Sequence, residues 1–224
     1  MTQSTLLSRL VAARPEPWRA YTHHAFVEQL AAGTLPEGAF RHYLVQDYLF
    51  LIQFARAYAL AVFKSRSLDE MQYGLNGLKA ILELEMDLHV RTCAGWGLTR
   101  EAMAATPEDI PTTAYTRFVI DAGLTGDLLD LHVALSPCVI GYSVIAERLA
   151  ALPGTLDPAN PYAFWIAEYA GEAYRVVAEG AVATLDRLAG EDLPATRFER
   201  LADLFAQASR LEAAFWQMGL DAAR

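Results

Sequence analysis

The chain has 224 residues, 54% hydrophobic and 20% charged, with a formal net charge of −9. That is enough apolar material for a packed core in a single domain spanning 1–224, and it excludes a disordered chain. The acidic balance argues against a nucleic-acid groove or an anionic membrane surface, because both need clustered Lys and Arg.

The N-terminal MTQSTLLSRLVAARPEPW has no basic segment followed by an apolar run, so it does not read as a secretion signal. The run 49-LFLIQFARAYALAVF-63, taken as the most apolar in the chain, is interrupted by Gln53 and Arg56 and is too short to span a bilayer. The only cysteines are Cys93 and Cys138. Two are too few for a secreted disulfide scaffold, and a cytoplasmic location is expected. With no CxxC and no Cys/His cluster, zinc is not indicated.

No segment alternates as a strand does, and Ala, Leu, Glu and Arg recur at helical spacing. A first helix is predicted from Thr2 to Ala13, stopping before 14-RPEP-17, and a second from His24 to Ala32, ending at Gly33. A long third helix covers 34–65, with Thr34 as its cap and Pro36 in its first turn. Another runs from Ser67 to Ala94 and ends near 95-GWG-97. Residues 98–112 read as a loop with one helical turn. Helices then follow at Thr113–Ala122, at Gly126–Leu152 with Pro137 inside, at Tyr162–Leu188 and at Pro194–Gly219. The expected architecture is all-α, a multi-helix bundle. Helices this apolar must bury more than one stripe, in a thick bundle or against other subunits.

Several helices carry polar or aromatic groups within the apolar stripe. On the third helix, Tyr43, Asp47, Phe50 and Phe54 are spaced 4, 3 and 4 and so share a face. An unpaired carboxylate there would be expensive to bury. Asp47 is therefore either a core residue satisfied by a tyrosine or a backbone amide, or a binding group. Cys138 and Tyr142 share a face one turn apart, and Pro137 removes a backbone donor and frees a carbonyl one turn back. Free cysteine is often an inert core residue, so Cys138 reads either that way or as a nucleophile. Tyr169 lies in 165-WIAEYAGEAY-174, and Glu212 with Phe215 in 208-ASRLEAAFWQM-218. A cysteine and a carboxylate facing one cavity would make a nucleophile and an acid/base partner. Glu85 and His89 stand at i, i+4, a spacing compatible with a metal, yet Glu-x-x-His is absent. No metal is expected, and the pair then reads as support for a pocket wall.

Six phrases carry a family resemblance: 24-HAFVEQLAAGTLPEGAFRHYLVQDYLFLIQFARAYALA-61, 83-ELEMDLH-89, 113-TAYTRF-118, 136-SPCVIGY-142, 165-WIAEYAGE-172 and 212-EAAFW-216. In this order, and over nearly the whole chain, they resemble the TenA family, also called thiaminase II. The resemblance implies an all-helical fold similar to haem oxygenase, assembled as a homotetramer. It implies a hydrolase acting at the methylene carbon on C5 of 4-amino-2-methylpyrimidines, within thiamine salvage. The products are hydroxymethylpyrimidine with ammonia from aminomethylpyrimidine, or with the thiazole from thiamine. No cofactor is implied, and the partner is a small pyrimidine, with neither nucleic acid nor membrane.

Carried over by position, the resemblance makes Cys138 the nucleophile and Glu212 the acid/base. It makes Asp47 the group that binds the pyrimidine's amino group and ring nitrogen. Tyr115, Tyr142 and Tyr169 would line the pocket, and Phe215 would pack on the ring. Phe50 departs from the pattern, because the cysteine branch of the family carries tyrosine there. Two other readings stand beside the hydrolase: a non-catalytic pyrimidine-binding or regulatory protein, and a metal-dependent oxidase on a related helical fold.

Overall fold

The computed structural model describes residues 4–223, and all of their side chains except that of Leu84. Among these residues there is no strand. The elements are α1 (Leu6–Ala13), α2 (Pro15–Thr22), α3 (Ala25–Ala31), α4 (Glu37–Lys64), α5 (Leu68–Ala80), a π-helical turn (Ile81–Glu85), α6 (Met86–Ala94), α7 (Arg100–Ala104), α8 (Ile110–Thr125), α9 (Leu128–Ala150), α10 (Ala163–Tyr169), α11 (Glu172–Ala189) and α12 (Ala195–Asp221). The all-helical expectation holds. Backbone contacts divide the chain into two compact units, one formed by the chain up to Pro36 with His132–Gln217, the other by Glu37–Leu131 with the C-terminal residues from Met218.

In the first unit, Thr5 caps α1 by accepting the Ser8 amide at 3.2 Å. The expected start at Thr2 lies outside the described residues. The segment 14-RPEP-17, which reads in sequence as a break, opens α2. Both prolines fall in the first turn, where their missing N–H groups would have had no intrahelical partner. Arg14, at the junction, holds Glu199 and Asp203 of α12 at 2.8 Å each. The α3 helix begins after His24, whose Nδ1 accepts the Phe26 amide at 3.2 Å. Asn160 closes its far end by donating to the carbonyls of Leu30 and Ala31, each at 3.2 Å. The predicted single helix 162–188 is two helices, α10 and α11, broken at 170–171 with Gly171 as the cap position of the second.

The second unit is built on α4, which packs against α5, the π turn, α6, α7 and α8. Thr34 does not cap α4: its amide bonds the Gln29 carbonyl in the turn that ends α3, and α4 starts at Glu37. The approach of α5 to α4 depends on Gly77, where a Cβ would stand 2.2 Å from Cε1 of Tyr58. Between α5 and α6 the helix widens to a π turn in which the Met86 amide bonds the carbonyl of Ile81. Gln46 of α4 is fully buried and fixes the start of α8 by accepting from Thr112 Oγ1 at 2.7 Å and from the Asp109 amide at 3.0 Å.

Among the described residues one helix, α9, is long and apolar enough by length and composition to cross a membrane, and the 49–63 run is not part of it. Of its most apolar stretch, 83% is buried inside the protein.

Candidate active site

Cys138 sits on α9, which continues through Pro137. A proline has no N–H to give the carbonyl one turn back, here that of Val133. The Ser136 hydroxyl takes over, donating to that carbonyl at 2.8 Å. The carbonyl of Pro137 accepts from the hydroxyl of Tyr21 at 3.2 Å. The turn presenting Cys138 is thus held on both sides by side-chain donors, and Cys138 itself is half-buried. Sequence reasoning missed Tyr21, because it lies in the segment not expected to be helical.

Tyr142, one turn after Cys138, contacts Tyr169 with ring centroids 5.0 Å apart and Trp165 at 5.6 Å. Trp216 of α12 lies 5.4 Å from Tyr142. The first unit therefore joins Tyr142 and Tyr169 in one aromatic cluster with two tryptophans. Glu212 and Phe215, on α12 beside Trp216, are each 2% exposed. Glu212 turns inward, as its placement between Leu211 and Phe215 predicts, while the exposed Arg210 bonds Gln207 instead. A buried carboxylate on α12 and a half-buried thiol on α9 are the right chemical types for acid/base and nucleophilic work.

In the second unit, the Tyr43, Asp47, Phe50 and Phe54 face is buried as the spacing predicts. Asp47 is 5% exposed and accepts from Tyr43 Oη at 3.1 Å. Its Oδ2 also lies 2.7 Å from Nε2 of His89. Phe50 contacts Tyr115 of α8 at 5.0 Å and Phe54 at 5.1 Å. The i, i+4 spacing predicts Glu85 as the partner of His89. It does meet Glu85, but at the backbone carbonyl, which lies 2.8 Å from Nδ1. Both ring nitrogens are therefore engaged, and neither is left to ligate a metal. Among the described residues no group of three or more His, Cys, Asp or Glu is arranged to hold a metal ion. Burial pushes the His89 imidazole down, but the hydrogen bond and charge of Asp47 outweigh it, so its pKa is raised above the usual 6.5. Burial drives the other thiol, Cys93, up to about 11, with Arg41 opposing and Asp47 adding to the rise.

Known proteins resemble this chain over nearly its full length. An uncharacterized protein of Haemophilus influenzae is 38% identical over 218 residues, which is 97% of this chain and 100% of its own. An aminopyrimidine aminohydrolase of Halalkalibacterium halodurans is 35% identical over 202 residues, 90% of this chain and 89% of its own. The crystal structure of a TenA family transcription regulator from Silicibacter sp. TM1040 superposes with a TM-score of 0.90 at 45% identity, covering 97% of both chains. A model of the TENA/THI-4/PQQC family matches residues 13–222, and the chain belongs to that family.

Proposed function

We propose that this protein is an aminopyrimidine aminohydrolase of thiamine salvage, with Cys138 as nucleophile and Glu212 as acid/base. The observation that carries the reading is the intact pair itself: a half-buried thiol after Pro137 on α9 and a buried carboxylate on α12, two residues of the same unit. The relationship to the Halalkalibacterium halodurans aminopyrimidine aminohydrolase supports it. The substrate class is a 4-amino-2-methylpyrimidine bearing a leaving group on its C5 methylene. Aminomethylpyrimidine is the first candidate and thiamine the second.

The chemistry needs a way to expel an amine from a carbon attached to an aromatic ring. The Cys138 thiolate adds to C6, forming a C–S bond, while Glu212 gives its proton to the adjacent ring nitrogen. The ring becomes an enamine whose electrons expel the leaving group, and an exocyclic methylene remains. Water adds to that methylene. Glu212 takes back the ring proton, and the thiolate departs. One hard displacement is split into easier steps. Asp47 accepts from the 4-amino group, and Tyr115, Tyr142, Tyr169, Phe50 and Phe215 supply aromatic surface and hydroxyls.

The same reading makes the protein a cytoplasmic homotetramer. Large apolar side chains left at the surface, among them Phe63, Leu68 and Ile110, fit contacts between subunits.

Ammonia release from aminomethylpyrimidine, measured beside alcohol release from thiamine, tests the proposal. Wild-type protein turns over, and Cys138→Ser folds but does not. Glu212→Gln lowers kcat by about 10²–10⁴ with a smaller change in binding. A Cys138→Ser protein that keeps most of the wild-type rate removes the nucleophile assignment. The description of the Silicibacter protein as a transcription regulator favours one other reading, a pyrimidine-binding regulator. Binding without ammonia release would support it, although a net charge of −9 opposes direct contact with DNA.

A further inference from the structure

His89 is 1% exposed, and both of its ring nitrogens meet oxygen. Nδ1 lies 2.8 Å from the Glu85 backbone carbonyl in the π turn, and Nε2 lies 2.7 Å from Oδ2 of Asp47. A backbone carbonyl can only accept, so Nδ1 carries a hydrogen. A neutral ring would then turn a lone pair toward a carboxylate oxygen, and a second proton must lie between Nε2 and Oδ2. The same Oδ2 also accepts from Tyr43 Oη at 3.1 Å, which occupies both of its lone pairs. No donor among the described residues engages Oδ1 of Asp47.

We propose that His89 is a buried imidazolium that fixes Asp47 as a carboxylate with one working oxygen, Oδ1. This makes the site select a ligand that offers an N–H there, an exocyclic ring amine, over an isosteric ligand that offers a carbonyl. His89 is thus a positioning and specificity residue that acts through Asp47. The selectivity rests on the reading of Asp47 as the pyrimidine-binding group.

The physical reason is the fixed direction of the bond. A carboxylic acid could rotate its proton toward either kind of ligand. A carboxylate held ionised by a charged donor on Oδ2 can only accept on Oδ1. A carbonyl placed against it meets like partial charge, and both groups lose water without gaining a bond.

The first arm of the test needs no turnover. In ligand-free protein carrying ¹⁵N-labelled histidine, the five histidines are resolved by nitrogen shifts, and the Asp47→Asn spectrum identifies His89. At neutral pH both His89 nitrogens are expected to be protonated, and Asp47→Asn is expected to leave one protonated nitrogen and one bare one. A neutral tautomer in the wild type overturns the proposal.

The second arm is calorimetric binding to Cys138→Ser of 4-amino-2,5-dimethylpyrimidine and of its 4-oxo counterpart. The oxo compound is expected to bind at least about 10-fold more weakly, the worth of one charge-assisted bond. Equal affinities overturn the selectivity. In active protein, His89→Gln is expected to raise KM for aminomethylpyrimidine by about 10-fold with a smaller change in kcat, and to narrow the preference for the amine. An unchanged preference in a folded His89→Gln protein overturns the role of His89. If neither pyrimidine binds, the functional reading fails and the selectivity falls with it, while the nitrogen shifts still decide the charge on His89.

Discussion

The hydroxyl of Tyr21 donates to the Pro137 carbonyl at 3.2 Å, immediately before the residue proposed as nucleophile. That contact exists because residue 141 is glycine. A Cβ there would stand 2.4 Å from Cε1 of Tyr21 and 2.7 Å from its hydroxyl oxygen. Tyr21 cannot easily retreat, being fully buried and stacked on Trp216 at 6.2 Å with rings 15° apart. Gly141→Ala should therefore lower stability by about 1–3 kcal/mol through overpacking. Tyr21→Phe, which removes one hydrogen bond, should lower it by about 1 kcal/mol. Urea midpoints rank the two, and an unaltered midpoint for Gly141→Ala would contradict the close approach.

The two thiols should separate in a labelling experiment. Cys93 is buried with its pKa pushed up to about 11, so at neutral pH it is protonated and screened. Cys138 is half-buried. Iodoacetamide at neutral pH should modify Cys138 first, and activity should fall in step with that single adduct. Mass spectrometry of peptic fragments reads the site directly. Modification of Cys93 alone, with loss of activity, would redirect attention to the second unit.

Phe50 offers a graded change. It lies 5.0 Å from the Tyr115 ring, and Phe50→Tyr adds one hydroxyl to that aromatic pair. A hydroxyl that finds a partner is worth about 1 kcal/mol, roughly a fivefold effect on kcat/KM. The expected outcome is a shifted ratio of aminomethylpyrimidine to thiamine turnover, measured side by side, with the fold intact. An unchanged ratio would remove position 50 from substrate choice.

The Asp47–His89 pair should also appear in the pH dependence of stability. The folded-state pKa of His89 is raised above the ordinary 6.5. A raised pKa means that the folded state holds the proton more tightly than the unfolded chain does. The associated stability is fully present below the unfolded value and is lost as pH rises through the folded one. Urea midpoints taken between about pH 6 and about pH 9 should fall with rising pH, and Asp47→Asn should flatten that slope. A slope identical in the two proteins would disconnect His89 from Asp47.

The sequence made the helical class and the inward faces legible, because both are local. The 4, 3, 4 spacing from Tyr43 to Phe54 needs only helix geometry, and the same holds for Glu212 with Phe215. The identity of partners was not legible. His89 stands at helical spacing from Glu85, and that was the visible pairing; Asp47, its charged partner, is 42 residues away. The prolines at 15 and 17 read as breaks in sequence because proline stops a helix from within, whereas at the first turn it starts one. Gly171 hid the break between α10 and α11, since one glycine inside a strongly helical run is commonly tolerated.

The π turn at Ile81–Glu85 has an evolutionary consequence. A π turn holds one residue more than an α turn would, and removing one residue from 81–85 would relax it to ordinary helix. The wider turn takes up its extra residue without turning α6 away, so a length change confined to 81–85 leaves His89 near its line to Asp47. Loss of one residue from the regular helix between Met86 and His89 would instead rotate the ring by about 100°, the angle per residue of an α-helix. Insertions and deletions should therefore be rarer across 86–89 than across 81–85.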